Sequence, residues 1–441
     1  MKAIGYGINT AKATLATARS FLPSLAYLAE CAAGGMFRRR SPRRGGKHGH
    51  VVILGAELTN KGSQAMLFTV VDQIAKRFPD RDIYMLSRFP ARVRGEHLYR
   101  FFIRPWDYRT QVRVSSRLAR LVNRNRQYSQ VEGELAQIIR DAGCFIDISG
   151  FALSTHWGRS YYQPLFAYLL NILIARKNSV PFYVFPQSMG PFDYAWWARL
   201  LLYPFMKMAF GYPTRFYLRE SECLRHVHPF TRKNVEVSPD IVLQGDNYDL
   251  ANIYNEKPMT RKLVVSPGSV ALLPSARVAE RTDEGRLYSI YAAIVKELRA
   301  AGKTVYIVRH SDEDLDVCTR IKSLFCEDAR VELLAEDASC IELEEVIAEC
   351  DFVIASRYHA VVHAYKNAVP ALVMGWSYKY PSLMTEFDQA AYYFDCRNEM
   401  DVADVTAALQ MLMANSEGER QTLLKRMTVV RQGSVFNSLR C

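Results

Sequence analysis

The sequence predicts two consecutive α/β domains, each a doubly wound parallel sheet, that face each other across a central cleft. Length supports this prediction, because 441 residues exceed a single domain of roughly 100–200 residues. Short, nearly continuous apolar segments alternate with segments of helical periodicity, which is typical of parallel sheets covered on both faces. The composition, 49% hydrophobic and 23% charged, excludes wholesale disorder and a disulfide-stabilised miniprotein.

The first domain is predicted at residues 49–255. It begins with the β-branched segment 50–54, a loop, and a helix at 63–77 whose apolar residues recur every three or four positions. Further strands are predicted at 82–86, 144–148, 181–185 and 216–218. The polar stretch 244–262 predicts the linker to the next domain.

The second domain is predicted at residues 256–400, with C-terminal helices at 401–441. Its strands are predicted at 263–266, 304–308, 331–334, 352–354 and 371–374, and its helices at 286–301, 314–324, 342–348 and 359–366. Two such sheets in succession bring the carboxyl ends of their strands to a shared cleft, where open α/β sheets bind ligands.

The net charge of +12 is concentrated in two segments. Residues 1–50 contain nine Lys or Arg and one acidic residue, and residues 88–126 contain eleven Arg and two acidic residues. Three-to-four spacing predicts one cationic helix face formed by Arg109, Arg113, Arg117, Arg120 and Arg124. Anionic lipid head groups, a polyprenyl-diphosphate-linked glycan or bulk solvent would suit that face. No nucleic acid is expected, because no aromatic platform accompanies the arginines.

Residues 1–48 are predicted to form a helix at 10–36 with one apolar side, followed by a basic linker. This combination can hold a protein on an anionic leaflet, and a solvated tail without function is the alternative. No apolar run reaches the roughly 18 residues of a membrane span. The aromatic-rich segment 194–212 suits either the core or a bilayer interface.

Nine cysteines are present, without a CxxC pair or a histidine cluster at zinc spacing. This pattern indicates reduced thiols in a cytoplasmic protein and no structural metal. Each cysteine is expected to be a small apolar residue of the core.

The most specific segment joins the end of a buried strand to the helix after it. The strand ends at Ser356, and Arg357 and His359 follow where the helix begins. Helix N-termini attract anions, and an arginine there can bind an oxyanion through two hydrogen bonds. The loop after the next strand brings Lys379 to the same edge of the sheet. The sequence therefore predicts an anion site at the carboxyl end of the second sheet.

Several separated motifs occur in one order along the chain. They are Asn60-Lys-Gly62, Phe185-Pro-Gln-Ser-Met-Gly-Pro191, Leu218-Arg-Glu-Ser-Glu-Cys-Leu224, Ser238-Pro-Asp240, His310-Ser-Asp-Glu-Asp314, and Ser356-Arg-Tyr-His359 with Lys379. With these motifs the sequence resembles the polysaccharide pyruvyl transferases from about residue 50 to about residue 390.

The resemblance implies a GT-B-like pair of Rossmann-like domains that transfers the pyruvyl group of phosphoenolpyruvate to a sugar. The acceptor would be a sugar of a surface polysaccharide, such as an exopolysaccharide, or of its lipid-linked precursor. The product would be a pyruvate ketal, with release of phosphate. Phosphoenolpyruvate is then a co-substrate, and no metal or other cofactor is expected. The protein is expected in the cytoplasm, peripheral on the inner face of the cell membrane.

By motif, the resemblance assigns the donor site to Arg219, Arg357, His359 and Lys379. Three cations suit a ligand that carries a carboxylate and a phosphate. His359 is expected to act as a protonated general acid, because nearby oxyanions favour the imidazolium. The alternatives are structural: Arg357 and His359 would cap a helix, and Arg219 would form a surface ion pair with Glu220.

The acceptor side departs from the family pattern. A carboxylate usual after the Asn-x-Gly loop is replaced by Ser63, which is predicted to cap the following helix. Asp147 is either a buried structural carboxylate or the catalytic base on this side. The other acceptor-side candidates are Asn60, Gly62 and Gln187, together with Ser63.

Two other functions are compatible with the same sequence. A GT-B glycosyltransferase that uses a nucleotide-sugar donor would share the fold and the anion site. A non-catalytic sugar- or anion-binding relative would explain the altered loop.

Overall fold

The computed structural model describes residues 21–36, 49–89, 95–117, 130–151, 153–155, 162–256 and 263–440. The strands of the first sheet are β1 (His50–Leu54), β2 (Ile83–Ser87), β3 (Phe102–Pro105), β4 (Ala142–Asp147), β5 (Phe182–Gln187), β6 (Arg215–Leu218) and β7 (Val235–Val237). Those of the second sheet are β8 (Val270–Leu273), β9 (Val305–Val308), β10 (Val331–Leu334), β11 (Phe352–Ala355), β12 (Ala371–Gly375) and β13 (Tyr393–Asp395).

Both sheets are parallel and doubly wound. The strand order is β3-β2-β1-β4-β5-β6-β7 in the first sheet and β10-β9-β8-β11-β12-β13 in the second. In each sheet the order reverses beside the first strand, so the crossovers place helices on both faces. The predicted α/β architecture of two doubly wound sheets is confirmed.

The α-helices cover both sheets. In the first half they are α1 (described part 21–36), α2 (Lys61–Arg77), α3 (Tyr108–Ser115), α4 (Gln130–Asp141), α5 (Tyr162–Asn178), α6 (Trp196–Phe210), α7 (Leu224–Val227) and α8 (Leu250–Ile253). In the second half they are α9 (Ala276–Ala279), α10 (Glu284–Ala300), α11 (Leu315–Ser323), α12 (Cys340–Ala348), α13 (Tyr358–Lys366), α14 (Lys379–Glu386) and α15 (Val402–Gln432).

Helix α5 is apolar around most of its circumference, because it is covered on both sides. Its residues 165–175 are buried between the first sheet and an outer layer formed by α1 and α6. Phe21 of α1 contacts the rings of Phe166 and Trp197 at centroid distances of 5.6 and 5.4 Å. A helix that is hydrophobic on all faces is thus explained by three-layer packing. Among the described helices, none is both long and apolar enough to cross a membrane.

The C-terminal segment connects the two domains. Helix α15 is kinked at Asn415, and the chain after it reaches the first domain. There Phe436 packs edge-on against Phe185 at 5.4 Å, and the backbone nitrogen of Val435 donates a hydrogen bond of 2.8 Å to Gln244. The last residues therefore anchor both domains to each other.

The strand predictions fail at three of the four sheet edges and at one central strand. The edge strands β3, β7 and β13 are not predicted from the sequence. The predicted strand at 263–266 is wrong, because Val264 is 76% exposed and the second sheet begins instead with the buried strand β8.

Two local predictions at helix ends are also corrected. Asn60, rather than Ser63, caps α2, because its side chain accepts a hydrogen bond from the backbone nitrogen of Ser63. The single cationic helix face does not form, because α3 ends where the backbone becomes extended at Ser116. Arg120 and Arg124 lie outside the described residues.

The cysteines are mostly free thiols, as the sequence predicts, with one exception. Cys31, Cys223, Cys318, Cys326, Cys340, Cys350 and Cys396 are free. Cys144 is disulfide-bonded, so the prediction of reduced thiols is wrong for this residue. The disulfide of Cys144 could not be predicted, because the spacing of cysteines in the sequence does not show which distant residues the fold brings close to β4.

Candidate active site between the two domains

Polar side chains from both sheets meet at the carboxyl ends of the strands. In the first domain, Arg219 directly follows β6, and Asp240 lies three residues after β7. In the second domain, Tyr358 and His359 begin α13 after β11, and Lys379 begins α14 after β12. Open α/β sheets usually bind their ligands at the carboxyl ends of the strands. The structure therefore brings three of the four predicted donor residues into one group.

Arg219 and Asp240 form a buried ion pair. The guanidinium Nη2 lies 2.8 Å from Asp240 Oδ2, and the two side chains are 3% and 0% exposed. Asp240 Oδ1 accepts a hydrogen bond of 3.0 Å from the backbone nitrogen of Val242, which fixes the carboxylate. The Arg219 guanidinium also lies over the ring of Tyr358, 5.4 Å from its centroid. The alternative of a surface pair with Glu220 is excluded by this burial.

His359 is positioned by both domains. Its Nε2 lies 3.6 Å from Asp240 Oδ2 across the cleft. Its Nδ1 faces Gly62 of α2, where an added Cβ would lie only 2.0 Å away, so only glycine fits beside the ring. The Asn-x-Gly loop therefore contributes a close approach to the predicted proton donor.

The surroundings of His359 in the unliganded site oppose its protonation. Burial lowers the pKa of His359 well below its usual 6.5, and the charges of Arg219 and Lys379 lower it further. Burial and these two cations therefore oppose the protonated form that the sequence predicts, although the Asp240 carboxylate lies 3.6 Å from Nε2. A bound anion would raise the pKa of His359.

Lys379 is surrounded by aromatic rings. Its ammonium lies 4.7 Å from the ring centroid of Tyr358 and 5.5 Å from that of Trp376. Burial and the charge of Arg219 lower the pKa of Lys379 to about 8, against the opposing effect of Glu220. Tyr358 is therefore contacted by two cations, one from each domain.

The group carries unpartnered donors. In the part of the chain that the structure describes, neither Arg219 Nε nor His359 Nε2 has a hydrogen-bond partner, although both atoms are buried. Buried polar atoms without partners are costly and cluster at functional sites. Two positive side chains lie beside Asp240, and burial raises the pKa of Glu220, the other carboxyl group close to them, so the site is suitable for an anion.

Arg357 is placed differently from the other predicted donor residues. Its Nε donates a hydrogen bond of 2.9 Å to Asp314 Oδ2, and its Nη2 donates one of 2.6 Å to Glu313 Oε1. Both carboxylates belong to the loop after β9 in the same domain. The guanidinium is therefore neutralised locally, and its donor role stays a prediction.

Asp147 is completely buried beneath the loop that follows β4. Its Oδ1 accepts hydrogen bonds of 3.0 Å from the backbone nitrogen of Ser149 and 3.2 Å from Gln187 Nε2. Burial raises the pKa of Asp147. Gly150 lies on this loop beside Arg219, and its ideal Cβ would be 3.6 Å from Arg219 Nη2. Asp147 and Gln187 thus support the loop that borders the arginine.

The remaining acceptor-side candidates line the start of α2. Asn60 is the exposed cap of the helix, and the Ser63 hydroxyl accepts a hydrogen bond of 2.8 Å from the backbone nitrogen of Glu57. Their role toward an acceptor stays a prediction. The sequence predicts no role for Tyr358, and it identifies Asp240 only as part of a motif. The contact of Tyr358 with Arg219 and that of Asp240 with His359 both join the two domains, so they depend on how the second domain lies against the first.

The fold and the site together define a two-domain α/β protein with a cation-lined cleft. The protein family described as Polysaccharide pyruvyl transferase matches residues 60–378. The chain therefore belongs to the polysaccharide pyruvyl transferase family.

Solved structures establish the fold class. The UDP-GlcNAc 2-epimerase of Methanocaldococcus jannaschii has a TM-score of 0.51 at 9% identity, over 82% of this chain and 91% of that one. The Neisseria meningitidis UDP-GlcNAc 2-epimerase bound to UDP-GlcNAc has a TM-score of 0.52 at 9% identity, over 88% and 98%. UGT71G1 of Medicago truncatula with UDP-glucose has a TM-score of 0.52 at 9% identity, over 89% and 97%. These likenesses confirm the predicted GT-B-like fold.

Two glycines at the second position of a helix provide a test of the packing at His359. Gly62→Ala is expected to lower the free energy of unfolding by about 1–3 kcal/mol, because the new methyl group displaces the His359 ring. Gly285→Ala in α10 is the matched control, because the nearest atom to its Cβ would be 3.5 Å away. It is expected to raise stability by about 0.5–1 kcal/mol. Urea titration measures both, and equal changes would contradict the contact.

The lowered pKa of Lys379 predicts a pH-dependent gain of stability on its removal. The folded-state pKa of about 8 lies below the ordinary 10.5, so the charged lysine destabilises the folded protein below pH 8. This cost disappears as the pH rises from about 8 to about 10.5. Lys379→Met is therefore expected to gain about 2 kcal/mol at pH 7 and nothing at pH 11. The exposed Lys425→Met is the control, and a gain independent of pH would contradict the assignment.

Proposed function

We propose that the protein transfers the pyruvyl group of phosphoenolpyruvate to a sugar and releases phosphate. The observation that carries this proposal is the group formed by Arg219, His359 and Lys379 at the cleft between the domains, in which the buried atoms Arg219 Nε and His359 Nε2 have no hydrogen-bond partner among the described residues. Family membership supports the reaction class. The charge of the site supports the donor, because phosphoenolpyruvate carries a carboxylate and a phosphate.

Each group has a role in this proposal. Arg219 and Lys379 bind the two anionic groups of the donor from opposite domains, and the N-terminus of α13 adds a favourable dipole. Asp240 holds Arg219 and faces His359, so it positions both. Arg357 joins the donor site if the ligand draws it away from Glu313 and Asp314.

The chemistry requires one proton donor and one proton acceptor. A sugar hydroxyl adds to C2 of the enol and gives its proton to the base on the acceptor side, and the methylene carbon receives a proton to become a methyl group. His359 supplies that proton, because the bound dianion offsets the cations that keep the free imidazole neutral. A second hydroxyl of the sugar then displaces the phosphate at C2 and closes the ketal. Its proton leaves with the phosphate, which balances the reaction.

For the acceptor, we propose a class of saccharide and a set of candidate residues. The acceptor is a saccharide of a surface polysaccharide, such as an exopolysaccharide, or its lipid-linked precursor. Asp147 is the candidate base for its hydroxyl, and Asn60, Gly62, Ser63 and Gln187 are the candidate contacts. We place the protein on the inner, cytoplasmic face of the cell membrane, with phosphoenolpyruvate as co-substrate and no cofactor.

Turnover of a defined acceptor tests the role of His359. His359→Asn is expected to lower the rate of phosphate release from phosphoenolpyruvate by about 10²–10⁴-fold, because it removes the proton donor. The exposed His97→Asn is the control and should retain the wild-type rate. Both variants should still be stabilised thermally by phosphoenolpyruvate. Unchanged turnover in His359→Asn would contradict the catalytic assignment.

Thermal unfolding also separates the proposed donor from a nucleotide sugar. The solved neighbours bound to UDP-GlcNAc and UDP-glucose share the fold, so these ligands are the natural competitors. Phosphoenolpyruvate is expected to raise the melting temperature, and Arg219→Gln is expected to abolish that shift. Stabilisation by UDP- or GDP-sugars alone would overturn the donor assignment.

A further inference from the structure

Helix α6 presents an apolar face to solvent. Trp196 and Leu200 are 75% and 70% exposed, and Trp197 and Leu201 beside them are 43% and 45% exposed. The helix contains no acidic residue, and its charges are Arg199 and Lys207. Packing does not explain this face, because the opposite side of α6 already fills the core. Apolar surface of this extent marks an interaction site.

Helix α1 has a second exposed apolar stripe. Leu22 and Met36 are 72% and 57% exposed, and the exposed residues between them are Pro23, Ala26, Ala29 and Ala33. The opposite side, with Leu28 and Cys31, is buried against the first domain. The acidic residue of this helix, Glu30, is bound by Ser116 and Arg117. The described part of α1 is therefore apolar on both sides, and only one side is used by the fold.

The two stripes adjoin. The ring of Phe21 in α1 contacts the ring of Trp197 in α6 at 5.4 Å, in a T-shaped arrangement. Both helices lie over α5 in the outer layer of the first domain. The end of α1 that carries Phe21 and Leu22 therefore adjoins α6 at Trp197, and we treat the exposed apolar residues of the two helices as one surface.

Basic residues lie beside one end of this surface and follow α1 directly in the sequence. Arg176 and Lys177 lie against Gly35 and Gly34 at the end of α1. The twelve residues that follow α1, 37–48, contain six basic and no acidic residues. An apolar helix face combined with a polybasic segment provides the two signals that stable attachment to anionic lipid requires. The same charges would repel a second copy of the chain, which argues against a dimer interface.

We propose that the outward faces of α1 and α6 form a docking surface for an anionic phospholipid bilayer. Trp196, Trp197 and Leu200 enter the boundary between head groups and acyl chains, as tryptophan favours this depth. The basic residues remain at the phosphate level. Attachment requires neither the active site nor its substrates, so it is independent of the proposed reaction.

Flotation with lipid vesicles tests the docking surface in the full-length protein. The protein is expected to float with phosphatidylethanolamine vesicles that contain phosphatidylglycerol, and not with phosphatidylcholine vesicles. Trp196→Glu/Leu200→Glu is expected to reduce the bound fraction by at least about 10-fold, because it removes apolar area and adds negative charge. Leu424→Glu/Val429→Glu on the exposed side of α15 is the matched control and should bind like the wild type.

Tryptophan quenching by brominated lipid tests the depth of insertion without adding charge. Anionic vesicles that contain brominated phosphatidylcholine are expected to quench the wild-type fluorescence, and Trp196→Phe/Trp197→Phe should remove most of the quenching. All variants should keep the thermal shift with phosphoenolpyruvate, which separates this inference from the proposed function. Wild-type protein that fails to float, or equal flotation of Trp196→Glu/Leu200→Glu, would overturn the proposal. A dimer that this variant converts to a monomer, without vesicle binding, would assign the surface to a second copy.

Discussion

The buried ion pair between Arg219 and Asp240 is the interaction on which the site depends. Removing two charges from water costs several kcal/mol per ion, and only close pairing offsets that cost. Asp240 is bound to Arg219, and burial raises the pKa of Glu220, the other carboxyl group near Lys379. Burial and the neighbouring cations lower the pKa of both the Lys379 ammonium and the His359 imidazole. Under the proposed function, the anionic donor relieves this unfavourable arrangement when it binds.

Contacts between the two domains fix the position of Arg219 and Asp240 relative to His359 and Lys379. Lys61 at the start of α2 forms an ion pair of 2.6 Å with Asp337 of the second domain. Gln64, one turn along, accepts a hydrogen bond of 2.8 Å from the backbone nitrogen of Cys340 at the start of α12. The C-terminal segment adds a further connection through Phe436. The same end of α2 contributes Gly62 to His359, so domain contact and active-site geometry share one helix terminus.

Most of the fold follows from sequence patterns, and the failures have physical causes. Most central strands are continuous apolar runs and were predictable, with the exception of β8. The strands β3, β7 and β13 were not predictable, because they lie at sheet edges, are three or four residues long and have few buried side chains. The positions of Arg219, His359 and Lys379 follow from strand ends. The partners of Arg357 and the protonation of His359 do not, because they depend on residues distant in sequence. For the same reason, the contact of the Tyr358 ring with Arg219 and Lys379 could not be predicted from the sequence.

A crystal structure of the protein with phosphoenolpyruvate bound is the most direct test of a shared anion site. The two anionic groups should contact Arg219 Nε and the Lys379 ammonium, one from each domain, with the methylene carbon within reach of His359 Nε2. A ligand held by Arg357 alone, with Arg219 still paired only to Asp240, would contradict the shared site.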